Sequence, residues 1–118
     1  MNILLDNCVH RQVRTFFPGH DVKTAHQAGL ARLENGALLA EAAKGFDVMV
    51  TSDKNIKSQY NLAKLPLPVI ELDAFDTRIE GLLPFAPFCP AALAATAHYW
   101  FVSIRPNGSL DLRSPRGT

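Results

Sequence analysis

The chain has 118 residues, of which 47% are hydrophobic and 19% are charged, and 12 basic residues balance 11 acidic ones. A chain of this length forms one domain around one core, and this composition excludes a disordered or strongly basic protein. A near-neutral total still allows a basic face beside an acidic site, and the basic residues available for one are Arg11, Arg14, Lys23, Arg32, Lys54, Lys57 and Lys64.

The distribution of apolar and cysteine residues indicates a cytoplasmic protein. The first residues do not combine a basic segment with a long apolar one, and no apolar run approaches the roughly 20 residues that a membrane helix needs. Cys8 and Cys89 stand far apart and in no metal-binding spacing, which is typical of reduced thiols. We therefore expect a cytoplasmic location and no membrane partner.

Short apolar runs alternate with helical patterns in the first part of the chain. After Asn7, Val9, Val13 and Phe16 recur at helical spacing, and a second helix begins at Asn35, which is expected to cap it. Weaker helices are predicted at residues 56–63 and 77–83. The apolar runs predict four strands, at residues 3–5, 22–25, 48–50 and 67–72.

This order predicts an α/β fold with a central parallel sheet covered by helices, because parallel strands need crossover connections. Residues 84–97 are predicted to form a Pro/Ala connector that is partly helical. The stretch "HYWFVSIRPNGSLDLRS" predicts a β-hairpin that turns near Asn107 and Gly108 and extends the sheet or meets another chain. We therefore divide the chain into residues 1–85 and an extension, residues 86–118, within the same unit.

Polar residues follow the predicted strands. The run "DVMVTSDKN", residues 47–55, ends on Thr51, Ser52, Asp53, Lys54 and Asn55, just as the first strand ends on Asp6 and Asn7. The carboxyl ends of parallel strands meet at one edge of a sheet, where ligands of open α/β folds bind. Glu34 and Asn35, before the second helix, and Glu71 and Asp73, after the fourth strand, are expected near the same edge.

A group of carboxylates at one edge predicts a divalent metal site. Clustered carboxylates repel one another unless a cation relieves the charge, and Mg²⁺ or Mn²⁺ prefers such oxygen ligands. A bound ion of this kind supports hydrolysis of phosphodiesters.

Each of these residues also has a structural interpretation. Asp6, Asp53 and Asn35 are suitable helix caps, and Glu34 is suited to offset a helix dipole. For Glu71 and Asp73 the favoured interpretation is that of solvated strand-end acids. Lysines such as Lys54 and Lys57 are more often solvated than bound to phosphate, and Cys8 has no general base nearby in the sequence.

Three stretches resemble the small bacterial PIN-like proteins: "MNILLDNCVHRQVRTFFPGHDVKTA", "LENGALLAEAAKGFDVMVTSDKN" and "QYNLAKLPLPVIEL". The resemblance covers about residues 1–85 and implies a PIN-like three-layer fold. It also implies a ribonuclease, often the toxin of a toxin–antitoxin pair, with Mg²⁺ or Mn²⁺ at a carboxylate cluster.

In this resemblance Asp6 and Asp53 match the acids after the first and third strands. Asn35 and Asn7 stand where many relatives have acids, and His10 stands where a proline is common. The two amides remove negative charge from the expected metal site and weaken it.

Two hypotheses follow. The first is a metal-dependent endoribonuclease with Asp6 and Asp53 as catalytic metal ligands. Its substrate is RNA, and its partners are a restraining antitoxin and a second copy of the chain in a homodimer. Its further metal ligands are Asn35, Glu34 and Asn7, and its substrate-binding residues are Lys54, Asn55, Thr51 and Ser52. The second is a catalytically depleted PIN-like module that binds protein or nucleic acid. A phosphoacceptor receiver is a third, weaker alternative, since it needs an adjacent acid pair that this sequence lacks.

Overall fold

The computed structural model describes residues 1–117, with the exception of the side chain of Asn35. Within this range the chain forms one six-stranded sheet with the strand order β2-β1-β3-β4-β5-β6. The strands are β1 (Asn2–Leu5), β2 (Asp21–Thr24), β3 (Val48–Thr51), β4 (Val69–Leu72), β5 (Tyr99–Ile104) and β6 (Leu110–Pro115).

Five of the strands run parallel, and β6 pairs with β5 in the antiparallel direction. The α/β class and the mostly parallel central sheet are therefore confirmed. β5 lies between β4 and β6 and is not an edge strand, so the part of the chain after residue 85 contributes an interior strand. The turn between β5 and β6, residues 105–109, is closed by the Gly108 N–H, which donates to the Arg105 carbonyl at 2.8 Å.

Helices cover both faces of the sheet. The α-helices are α1 (Asn35–Ala42), α2 (Ile56–Gln59), α3 (Ile79–Leu82) and α4 (Cys89–Ala95), and 3₁₀ segments span Arg11–Phe16, Leu62–Lys64 and Leu83–Phe88. None of the helices within residues 1–117 is long and apolar enough to cross a membrane.

Alternate strand residues enter two separate apolar cores, because successive side chains of a strand point to opposite faces. In β3, Val48 and Val50 pack with the first 3₁₀ segment and with α3 and α4. Met49 packs on the other face against α1 and α2, through residues such as Leu38 and Ile56. The helices and the sheet thus form three layers.

Three predicted helices differ from the structure. The first is a 3₁₀ segment, whose start is capped by His10 Nδ1, which accepts the Gln12 N–H at 3.1 Å. The third ends at Gln59, because Tyr60 is extended and the Asn61 side chain caps a separate 3₁₀ turn. The fourth continues as a 3₁₀ segment through Pro84 and Pro87, which lack the N–H that an α-helix requires.

Candidate active site

A row of polar residues crosses four neighbouring strands at one end of the sheet. Asp6 follows Leu5 of β1, and its N–H donates to the Val50 carbonyl at 2.9 Å, so Asp6 lies beside Thr51 of β3. Thr51 is paired in register with Glu71 of β4, and Glu71 with Ser103 of β5. Strand register therefore brings together residues that are distant in the sequence.

Asp6 is held by residues on both sides of it. Its Oδ1 accepts the Asn7 N–H at 2.7 Å, and its Oδ2 accepts the Thr51 hydroxyl at 2.9 Å. The Cys8 thiol lies 3.6 Å from the same Oδ2 atom. The carboxylate is half-buried, so these contacts define its direction while one side remains open to solvent.

Asp53 is connected to Asp6 through Thr51. The Asp53 N–H donates to Thr51 Oγ1 at 3.0 Å, while the same hydroxyl donates to Asp6. Asp53 Oδ1 accepts the Asn55 N–H at 2.9 Å, which orients the carboxylate at the start of α2. One buried hydroxyl thus bridges the two segments that carry the predicted metal ligands.

Both aspartates line the same cleft, which has a volume of about 350 Å³. Carboxylates come to it from three segments of the chain. Its walls are formed by Asp6, Asn7, Cys8, Leu33, Glu34, Ser52, Asp53 and Thr77. The cleft lies at the carboxyl ends of β1 and β3, which is where the sequence predicted it.

The remaining predicted metal ligands are placed as follows. Glu34 is exposed at the N-cap of α1, and within the described part of the chain its side chain makes no capping hydrogen bond, so its carboxylate is available to the cleft. Asn7 donates through Nδ2 to the Ala31 carbonyl at 3.1 Å, which leaves its oxygen as an acceptor. The Asn35 side chain lies outside the described residues. The cap of α1 is Glu34, one residue earlier than the sequence predicted.

The predicted substrate-binding residues divide into buried and exposed ones. Thr51 is fully buried, so the prediction that it contacts the substrate directly is wrong, and its hydroxyl can only position other residues. Ser52 is 7% exposed on the cleft wall, with its hydroxyl 3.4 Å from the Cys8 carbonyl. Asn55 is exposed and stands at the N-cap of α2.

Lys54 is exposed, and it contacts the segment that follows β4. Its ammonium lies 3.2 Å from Asp73 Oδ1 and 4.7 Å from the centre of the Phe75 ring. Phe75 is 92% exposed, which is unusual for a large apolar side chain. Lys54 and Phe75 therefore form an exposed cationic and aromatic pair.

The interpretation of Glu71 as a solvated acid is wrong, because Glu71 is completely buried. Its position in β4 places it on the sheet face that α1 and α2 cover. Glu71 Oε1 accepts the Ser103 hydroxyl at 2.7 Å and the Lys57 ammonium at 3.3 Å. Within residues 1–117, Glu71 Oε2 is buried and has no hydrogen-bond partner.

The cleft contains carboxylate and amide oxygens, the type of ligand that Mg²⁺ and Mn²⁺ prefer in proteins. Among the described residues, no group of three or more His, Cys, Asp or Glu side chains is arranged to hold a metal ion together. Mg²⁺ usually keeps several waters and binds through one or two carboxylates together with substrate phosphates. Asp6 and Asp53 supply that number, and within residues 1–117 the second oxygen of Asp53 accepts no hydrogen bond.

Sequence reasoning missed two polar residues of the cleft, Cys8 and Thr77, and one apolar residue, Leu33. The spacing of two between Asp6 and Cys8 is a weak signal for Cys8, whereas nothing in the sequence points to Thr77. The residues on either side of Thr77 are in contact, since the Arg78 guanidinium donates to the Asp76 carboxylate. These hydrogen bonds and the charge of Arg78 lower the pKa of Asp76, and Asp76 in turn raises the pKa of Arg78.

The second thiol of the chain lies outside the site. Cys89 is buried in the apolar core, and this burial raises its pKa to about 12. It is therefore an unreactive core residue.

No protein-family model, curated protein or solved structure matches this chain.

Proposed function

We propose that this protein is a metal-dependent endoribonuclease with a PIN-like three-layer fold, which hydrolyses RNA phosphodiesters in the cleft between Asp6 and Asp53. The observation that carries the proposal is the shared cleft, with one hydroxyl, that of Thr51, bonded to the Asp6 carboxylate and to the Asp53 N–H. Both carboxylates line a cleft of about 350 Å³ that is open to solvent, and a bound substrate would be held against them there.

In this proposal Asp6 and Asp53 hold Mg²⁺ or Mn²⁺, with Glu34 and the Asn7 oxygen as additional donors. When it is bound, such an ion offsets charge on the reacting phosphodiester and acidifies water. The protein contributes alignment. Thr51, which no substrate reaches, keeps the two aspartates in register.

The pair formed by Lys54 and Phe75 supports a single-stranded nucleic acid as the substrate. Lys54 follows Asp53 in the chain, and Phe75 precedes Thr77 by two positions, so each residue of the pair belongs to a segment that also contributes to the cleft wall. An exposed aromatic ring stacks on any unpaired base, and a nearby cation attracts the backbone. An antitoxin and a second copy of the chain belong to this proposal through the PIN-like resemblance alone.

Cleavage of a fluorescent single-stranded RNA by the purified protein tests the proposal. Cleavage should require Mg²⁺ or Mn²⁺ and should be lost in Asp6→Asn and in Asp53→Asn. Asp21→Asn is the matched control, because Asp21 is an exposed acid at the amino end of β2, away from the cleft at the carboxyl ends of the strands. Cleavage by the Asp6→Asn/Asp53→Asn double variant at the rate of the native protein would refute the proposal. Cleavage of single-stranded DNA but not of RNA would show that DNA is the substrate.

Two observations favour a second function, that of a catalytically depleted binding module. The described residues contain no closely arranged group of three metal-binding side chains, and Asn7 occupies the cleft as an amide. Calorimetric titration with Mn²⁺ separates the two functions. An active nuclease should bind the ion through Asp6 and Asp53, whereas a binding module should show no binding that depends on these residues.

A further inference from the structure

A second cavity lies on the other side of Asp6 and has a volume of about 360 Å³. Its walls come from the start of the chain and from the turn after β2. They are formed by Asp6, Asn7, Val9, Arg11, Arg14, Thr24, Ala25, His26 and Gln27. Asp6 and Asn7 also line the cleft described above, so these two residues separate two adjoining cavities.

The two arginines of this cavity are presented together by the 3₁₀ segment Arg11–Phe16. Residues three positions apart in a 3₁₀ helix lie directly above one another, so Arg11 and Arg14 share one face of the segment. Both are exposed, and within residues 1–117 no carboxylate lies within 4.0 Å of either guanidinium, in contrast to the paired arginines Arg78, Arg105 and Arg113.

The opposite wall is a turn with a defined shape. The Thr24 N–H donates to Gln27 Oε1 at 3.0 Å, and the Gln27 N–H donates to Thr24 Oγ1 at 3.1 Å. The Ala25 N–H donates to the Leu5 carbonyl at 2.9 Å, which attaches the turn to β1. These bonds place His26 on the cavity wall and leave the amide NH₂ of Gln27 as a donor.

We infer that this cavity binds a phosphate group. Two guanidinium groups facing one cavity without acidic partners are suited to phosphate, because the planar fork of arginine matches its oxygens. Among residues 1–117, Asp6 is the one acid in the wall, and its two oxygens already accept hydrogen bonds from Asn7 and Thr51. The positive charge of the cavity therefore exceeds the negative charge.

The position of the cavity indicates which phosphate it takes. It adjoins the cleft across Asp6, so a nucleic acid strand that places one phosphate in the cleft brings a neighbouring phosphate to Arg11 and Arg14. This assignment of the strand rests on the proposed function, whereas the binding of phosphate itself does not. A terminal phosphate and an internal one offer the same chemistry to the arginines.

Binding of inorganic phosphate without any divalent ion tests the cavity alone. In NMR titrations of the native protein, the amide signals of Arg11, Arg14 and His26 should shift together at millimolar phosphate. Arg11→Gln and Arg14→Gln should each weaken this binding about tenfold. Arg113→Gln removes the same charge from β6, at the far edge of the sheet, and should leave the affinity unchanged.

Both variants change exposed side chains, and an unchanged melting temperature verifies their folding. Absence of phosphate binding by the native protein, or equal losses in Arg113→Gln, would overturn the inference. Phosphate binding that persists in an inactive protein would leave the inference intact and refute only the nuclease.

Oligoribonucleotides with and without a 5′-phosphate then distinguish the two sources of phosphate. Tighter binding of the phosphorylated oligonucleotide, lost in Arg11→Gln, assigns the cavity to a strand end. Equal binding of both, weakened in Arg11→Gln, assigns it to the backbone. Binding of both oligonucleotides that Arg11→Gln leaves unchanged would overturn the assignment of the strand to this cavity.

Discussion

Replacement of Thr51 by valine should destabilise the fold and disconnect the two aspartates. Valine has the shape of threonine and is equally suited to a strand, so the change removes the hydroxyl and little else. That hydroxyl donates to the Asp6 carboxylate and accepts the Asp53 N–H. Both contacts would be lost at a site that is 0% exposed.

The expected loss in the free energy of unfolding is about 2–4 kcal/mol. A hydrogen bond to a charged group contributes about 1.5–3 kcal/mol, and an N–H left without a partner costs about 1 kcal/mol where it is half-buried. Thr51→Ser keeps the hydroxyl and loses one buried methyl group, which costs about 1 kcal/mol. The two variants therefore separate the contribution of the hydroxyl from that of packing.

Urea denaturation followed by circular dichroism measures both variants. Thr51→Val should be less stable than Thr51→Ser by at least about 1 kcal/mol. If the proposed function holds, Thr51→Val should also lose most of the RNA cleavage, while Thr51→Ser retains it. Equal stability of the two variants would show that the hydroxyl does not bridge Asp6 and Asp53.

Two further predictions concern the neighbouring groups. Lys57→Met should lower the free energy of unfolding by about 1–3 kcal/mol, because the substitution leaves the buried Glu71 carboxylate without its cation. The loss is smaller than for a fully buried ion pair, since the Lys57 side chain is 30% exposed. Adding Glu71→Gln should restore most of the loss in urea denaturation, and no recovery would contradict the pairing. Phe75→Ala should weaken the binding of single-stranded RNA about fivefold or more, as measured by fluorescence anisotropy, because the ring that stacks on a base is lost. Phe75→Tyr keeps an aromatic ring and should bind as the native protein does, and equal affinities of the two variants would argue against stacking.

The sequence predicted much of the sheet because its signals are local. The apolar runs that became β1 to β4 are short, lie between helical patterns, and are bounded by polar or turn residues, so their type and order could be inferred from the alternation. The edge at which Asp6 and Asp53 would meet followed from the same order, because parallel strands end together. Helix details were less predictable, since the extended Tyr60 ends α2 at Gln59 and a 3₁₀ segment with two prolines follows α3.

The burial of Glu71 shows what local signals could not provide. An acid near the end of a strand is usually solvated, and nothing in "LPVIEL" states that α2 covers this residue. The partners of Glu71 are Lys57 and Ser103, which are 14 and 32 residues away, so their contact depends on packing.

The alternation of strands and helices and the acids at the carboxyl end of the sheet could be inferred from the sequence, because these features depend on neighbouring residues. Tertiary structure decided that Thr51 bridges two aspartates, that Arg11 and Arg14 face a cavity beside Asp6, and that β5 is an interior strand. These features depend on strand register and on the packing of distant segments, and a linear pattern of residues contains neither.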